Sequence, residues 1–66
     1  MWTVVYIAQS RSSAESLKEV LTTEGLLVQL RPVGLPQSGD ANSVEILVPE
    51  SEVEEAHEIL ASALGA

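Results

Sequence analysis

The chain carries three basic side chains, Arg11, Lys18 and Arg31, against ten acidic ones, for a formal net charge of −7. Two of the bases stand where an anion can be received. Arg11 lies among Ser10, Ser12 and Ser13, just ahead of a predicted helix whose first-turn N–H groups have no intrahelical partners. Arg31 closes a predicted strand. The strands preceding both residues run parallel in the topology derived below, so both guanidinium groups are expected at one end of the sheet. Arg11, Ser12 and Arg31, joined by Asn42 or Gln37 from the following loop, form the candidate site for a small anionic ligand. The simpler arrangement pairs Arg31 with Glu45 and leaves Arg11 solvated.

The other reactive side chains read as structural. His57 is the only histidine, and one imidazole cannot build a histidine-rich metal site within a single chain. It is expected beside the buried stripe of the last helix. Glu50, Glu52, Glu54, Glu55 and Glu58 lack the turning, glycine-containing loop of a calcium site; they suit a solvated helix start and its dipole. Ser38, Asp40 and Ser43 have turn-forming chemistry. Lys18 falls on the polar side of a helix, which argues against a Schiff-base role. No Ser-His-Asp set, paired carboxylates or phosphate-binding loop is visible. The expectation is a protein without catalytic residues, metal or cofactor.

These residues are placed by a pair of strands around which the chain is organised. Leu26–Arg31 alternates Leu26, Val28 and Leu30 with Leu27, Gln29 and Arg31. Residues 43–48 alternate Val44, Ile46 and Val48 with Ser43, Glu45 and Leu47. Period-two patterning puts one aliphatic set of each strand on a buried face. The connector, 32–42, is longer than a hairpin requires and holds Pro32, Pro36, Gly34, Gly39 and Asn42. Pro32 is expected to end the strand before it.

Ahead of this pair, residues 2–8 (WTVVYIA) form a β-branched and aromatic strand. Strict alternation would put Thr3, Val5 and Ile7 on one face and Trp2, Val4 and Tyr6 on the other. Ser12 with Glu15 resembles a capping box, and the spacing predicts a helix over 12–24. Its stripe is Ala14, Leu17, Val20 and Leu21, and Gly25 stops it. Ser51 with Glu54 predicts a second helix over 51–64, with Val53, Ala56, His57, Leu60 and Leu64 buried. One domain of order β-α-β-β-α results. Its natural solution is a two-layer α+β fold, with both helices on one face of an antiparallel sheet of order 2-3-1. This is a ferredoxin-like arrangement lacking its fourth strand.

The absent strand would have flanked the first one, which carries no Lys or Pro to blunt its edge. Trp2, Val4, Tyr6, Leu27 and Leu47 are expected to form an apolar patch on the uncovered face. Self-association follows, by edge pairing or by face packing, with a homodimer as the simplest closed form. The opposing arrangement is a monomer whose C-terminal tail covers this surface. A chain of 66 residues buries only about 60% of its unfolded surface, which favours association. The negative charge disfavours nucleic acid and anionic membranes, and a chain with one Trp, one Tyr and no Phe lacks stacking platforms. No apolar run reaches the roughly 20 residues of a membrane helix, and no signal peptide is evident. The absence of cysteine excludes disulfides. A cytoplasmic location is the default expectation.

The opening WTVVYIA, the segment LLVQLRPVG and the tail SVEILVPESEVEEAHEIL resemble a group of short bacterial proteins labelled prokaryotic signal-transducing proteins, whose domain is similar to the PII nitrogen-regulatory fold. The resemblance spans about residues 2–60 and rests most on Val48, Pro49, Glu50, Glu52, Glu55 and Ala56. It implies a non-enzymatic regulatory or ligand-sensing module. In PII-like proteins the loop between strands 2 and 3 carries recognition, and the matching segment is 32–42. That segment is much shorter than a PII loop and has neither a Tyr to modify nor a Lys for nucleotide phosphates. Nucleotide binding of the PII kind is therefore not expected. A protein–protein adaptor that lends its first strand to a partner is the alternative.

Overall fold

A computed structural model of the chain describes residues 1–33 and 43–65. Strand β1 (Trp2–Ala8) leads into helix α1 (Arg11–Thr23). Strands β2 (Gln29–Pro32) and β3 (Val44–Pro49) follow, and a short 3-10 turn, Glu50–Glu52, runs into helix α2 (Val53–Gly65). The strands form one antiparallel sheet of order β1-β3-β2, and β3 pairs on both sides. The fold is a small α+β domain. Among the described residues, no helix is long and apolar enough to cross a membrane.

Ala14, Leu17 and Leu21 of α1 and Ala56 and Leu60 of α2 cluster with Val44, Ile46 and Val48 of β3. Both helices therefore cover the same face of the sheet. Val5, Val28, Leu30, Val53 and Ile59 pack around the rim of this core. Leu47 is buried too, at 5% exposure, but it lies outside that cluster. It occupies the middle of the opposite face, uncovered by any described helix or strand.

Helix α1 begins earlier than its serine pattern implies. Ser10 is the N-cap, and its hydroxyl accepts the Ser13 N–H at 3.1 Å. Ser12 lies inside the helix, and Glu15 turns to Arg11 rather than to a cap. At the other end Gly25 adopts φ +92°, a conformation glycine takes without steric cost. The Gly25 N–H reaches the Thr22 carbonyl at 2.9 Å, and the Leu26 N–H reaches the Leu21 carbonyl at 3.2 Å. This is a Schellman exit, with Leu26 folded onto Leu21 as its hydrophobic contact. That exit displaces the start of β2. Leu26 belongs to the turn, and the Leu27 N–H donates to Glu52 Oε1 at 3.1 Å, so the ladder opens only at Gln29. Pro32 is within β2, opposite Val44, because an edge strand tolerates a residue without an N–H.

Helix α2 differs similarly from its expected form. Ser51 is not a side-chain cap; the turn starts after Pro49, and the Glu50 N–H donates to the Met1 carbonyl at 2.8 Å. Ala56 and Leu60 are buried, whereas His57 and Leu64 are exposed. Ile59, which the pattern places at the margin of the stripe, packs against the core, while Ala63 is exposed and the histidine faces solvent.

Candidate functional site

One irregularity in β1 decides which side chains occupy the uncovered face. Thr3 pairs with Val48 and Val4 with Leu47, but the next pair is Tyr6 with Ile46. Val5 is an extra residue, a β-bulge. Residues directly opposite in a sheet share a face. Beyond the bulge, then, Tyr6 and Ala8 stand on the helix side with Ile46 and Val44. Ile7 stands on the uncovered side with Glu45. Strict alternation had placed Tyr6 outward and Ile7 inward, and the bulge reverses both. Val5 keeps its expected place against the core.

The uncovered face thus presents Trp2, Val4 and Ile7 from β1, Glu45, Leu47 and Pro49 from β3, and Gln29 and Arg31 from β2. Ile7 is 53% exposed and Trp2 43%. Leu27 is 62% exposed and precedes the first residue of β2. Leu47 is itself little exposed on this face, where its register partners are Val4 of β1 and Gln29 of β2. Of the expected patch, Trp2, Val4 and Leu47 share the face, Tyr6 leaves it, and Ile7 takes its place.

The structure does not bring the two arginines together. Arg31 lies on the uncovered face, where its Nε donates to Glu45 Oε1 at 2.7 Å. Arg11 opens α1, on the covered side, and its Nε donates to Glu15 Oε2 at 3.2 Å. Each guanidinium faces its own carboxylate and the sheet lies between them. The common placement expected from parallel strands holds along the strand direction but not across the sheet. Ser12 lines a different depression from Arg11, one of about 420 Å³ bordered by Tyr6, Gln9, Ser13, Ser16 and Leu64. Arg11 instead borders a groove of about 410 Å³ with Glu15, Lys18 and Leu30. Asn42 and Gln37 lie outside the described residues.

Glu52 is the functional surprise among the acids. Sequence assigns the whole glutamate run to solvent, but the Glu52 carboxylate ties the entry of α2 to the Leu27 N–H, 25 residues earlier. A hydrogen-bonded acid in a run of five looks like its neighbours until the fold brings its donor near. Among the described residues, no three His, Asp or Glu side chains are grouped to hold a metal ion.

No protein-family model matches the chain, and neither a curated protein nor a solved structure does.

Proposed function

We propose that the chain is a small, non-enzymatic regulatory or ligand-sensing module that works as a homo-oligomer, built on a ferredoxin-like, PII-type domain without its fourth strand. The observation that carries this reading is the one-sided cover of the sheet. Two helices lie on one face, while Trp2, Val4, Ile7 and Leu47 lie on the other. A domain this small has little core to spare, and a second chain over that face would add to it. As the resemblance implies, recognition is assigned to segment 32–42, of which 34–42 lie outside the described residues. Its flanks meet where the Val33 N–H donates to the Ser43 carbonyl at 2.9 Å. A ligand or partner bound at the segment would therefore act directly on the β2–β3 ladder. The separated arginines give no support to a shared anion clamp.

The second reading is an adaptor that offers β1 as an added strand. In its favour, β1 is an edge of seven residues without a charge or proline. Against it stands the bulge at Val5, which twists an edge away from straight pairing. Sedimentation velocity over a wide concentration range separates the readings. A reversible monomer–dimer equilibrium of the chain alone is expected. A single species of 7.0 kDa at every concentration would remove the homo-oligomer and leave the adaptor.

A further inference from the structure

We infer that two copies associate face to face through the uncovered side of the sheet, as a four-layer sandwich, and that the Val5 bulge is what selects this mode over edge pairing. The inference rests on the homo-oligomer reading above and names the surface that reading leaves open.

Charge identifies the occupant. Among the described residues, Glu15, Glu19 and Glu24 lie on α1 or at its end. Glu50, Glu52, Glu54, Glu55 and Glu58 lie on α2 or the turn before it. All of these belong to the helix layer. The uncovered face carries one acid, Glu45, and one base, Arg31, already paired with each other. A chain of net charge −7 repels its own copy most strongly through the acidic helix layer, whereas on the sheet face the local charge of the described residues cancels. Two copies can therefore approach sheet to sheet while their acidic helices point to opposite sides, a full molecule's thickness apart. An acidic or basic partner would find no matching excess here; an identical face finds its own neutral complement. Across a two-fold axis Arg31 of one chain and Glu45 of the other can also exchange partners without leaving either group unpaired.

Geometry agrees. The face is three strands wide, and stacking two such faces brings more side chains of each chain into contact than pairing the single edge of β1 would.

The bulge links the two surfaces. By inserting Val5 it interrupts the regular row of hydrogen-bonding groups along β1, which weakens the edge as a template. In the register that the bulge allows, Ile7 stands on the uncovered face with Val4 and Leu47, and the hydroxyl-bearing Tyr6 stands on the helix side, the reverse of unbroken alternation over these residues. The bulge makes the edge a poorer dimer surface, and the register beyond it gives the face an exposed isoleucine.

The chain has no cysteine, so a single Gln29→Cys substitution accepts a spin label at one site. Sheets in a sandwich stack about 10 Å apart, whereas edge pairing through β1 would put the two β2 strands five strand spacings apart, roughly 24 Å. The expected result is a short label-to-label distance in the wild-type background and its loss in Ile7→Lys. That variant should associate at least tenfold more weakly while keeping its far-ultraviolet dichroism and its monomer melting curve. A dimer that survives Ile7→Lys and holds its labels near the longer distance overturns the face-to-face arrangement but leaves homo-oligomerisation intact. Wild-type chain that stays monomeric at millimolar concentration overturns both. Should Ile7→Lys prove misfolded, Trp2→Lys, at the far end of the same face, replaces it with the same two readings.

Discussion

The two faces of this sheet are made from the same strands and similar side chains, yet they do different physical work. On the helix side Ile46 and Val48 are fully buried beneath α1 and α2. On the other side Leu47, between them in sequence, is nearly as inaccessible without any described helix or strand lying on top of it. Its described neighbours are lateral, Val4 of β1 and Gln29 of β2. A side chain covered from above is held by two layers, and removing it opens an enclosed void. A side chain walled in only from its sides loses neighbours on removal, but solvent can occupy the space.

Leu21→Ala and Leu47→Ala test this difference most strongly. Both are leucines of very low exposure. Leu21→Ala is expected to cost about 3 kcal/mol, within the range for enclosed core leucines, which takes most of the stability available to a domain of this size. Leu47→Ala should cost about 1–2 kcal/mol in dilute solution, because its cavity is open to water. In concentrated solution the cost should grow, as the second copy that would cover it is lost. Urea denaturation followed by dichroism at two protein concentrations reads both effects. Equal, concentration-independent losses would mean that the faces are energetically equivalent and the contrast is false.

Deleting Val5 acts on the covered face and on the edge of β1 together. The remaining residues keep their partners, so Tyr6 still meets Ile46 and Ile7 still meets Glu45, but the ladder becomes continuous. About 1 kcal/mol of core packing should go with the valine, which is only partly buried. The larger consequence is a straighter, more available edge, expected as faster aggregation in a light-scattering time course. A deletion variant that is as soluble as wild type would show that the bulge does not protect the edge.

This bulge also marks where sequence reading stops. Alternation reveals register when one face is polar, as in β2 and β3, where Gln29, Arg31 and Glu45 identify the outer side. WTVVYIA is apolar on both sides, so a one-residue insertion leaves no trace in the pattern, and Tyr6 and Ile7 exchange faces unseen. The three antiparallel strands, the two helices and Gly25 are legible because each has a local cause. Which of several serines caps α1 is not. Ser10, Ser12 and Ser13 have similar chemistry; with Ser10 as the cap, Arg11 is already helical and pairs with Glu15 one turn on. The start of β2 depends on the Schellman exit and on Glu52, a contact between distant segments that periodicity does not register. The two arginines take different faces for a related reason. Strand direction fixes the end of the sheet a residue occupies, but not the face.

The covered face depends on how α1 is closed. Gly25→Ala introduces no clash, since a Cβ there meets nothing within 4 Å, but φ of +92° costs an L-residue about 1 kcal/mol. The loss should appear as a lower denaturation midpoint with an unchanged slope. Because Gly25 seats Leu26 on Leu21, the penalty should be the same at every protein concentration, unlike that of Leu47→Ala.

The smallest effect belongs to the one ion pair on the uncovered face. The Arg31 side chain is 62% exposed and that of Glu45 18%, and pairs this open contribute about 0.2–1 kcal/mol in double-mutant cycles. For a single chain, Arg31→Ala should therefore lower stability by less than about 1 kcal/mol, and added salt should reduce the difference further. If the face lies against its copy, the same substitution leaves Glu45 at an interface without its base. An unpaired charge shielded from water costs far more than an exposed pair contributes. The double variant Arg31→Ala with Glu45→Ala should then associate better than Arg31→Ala alone, although it has lost more polar contacts. An Arg31→Ala chain that associates as well as the double variant would place Glu45 in solvent and the face outside the interface. The ordering of these variants by dissociation constant thus reports whether Glu45 is dry, from a pair too weak to matter to the monomer.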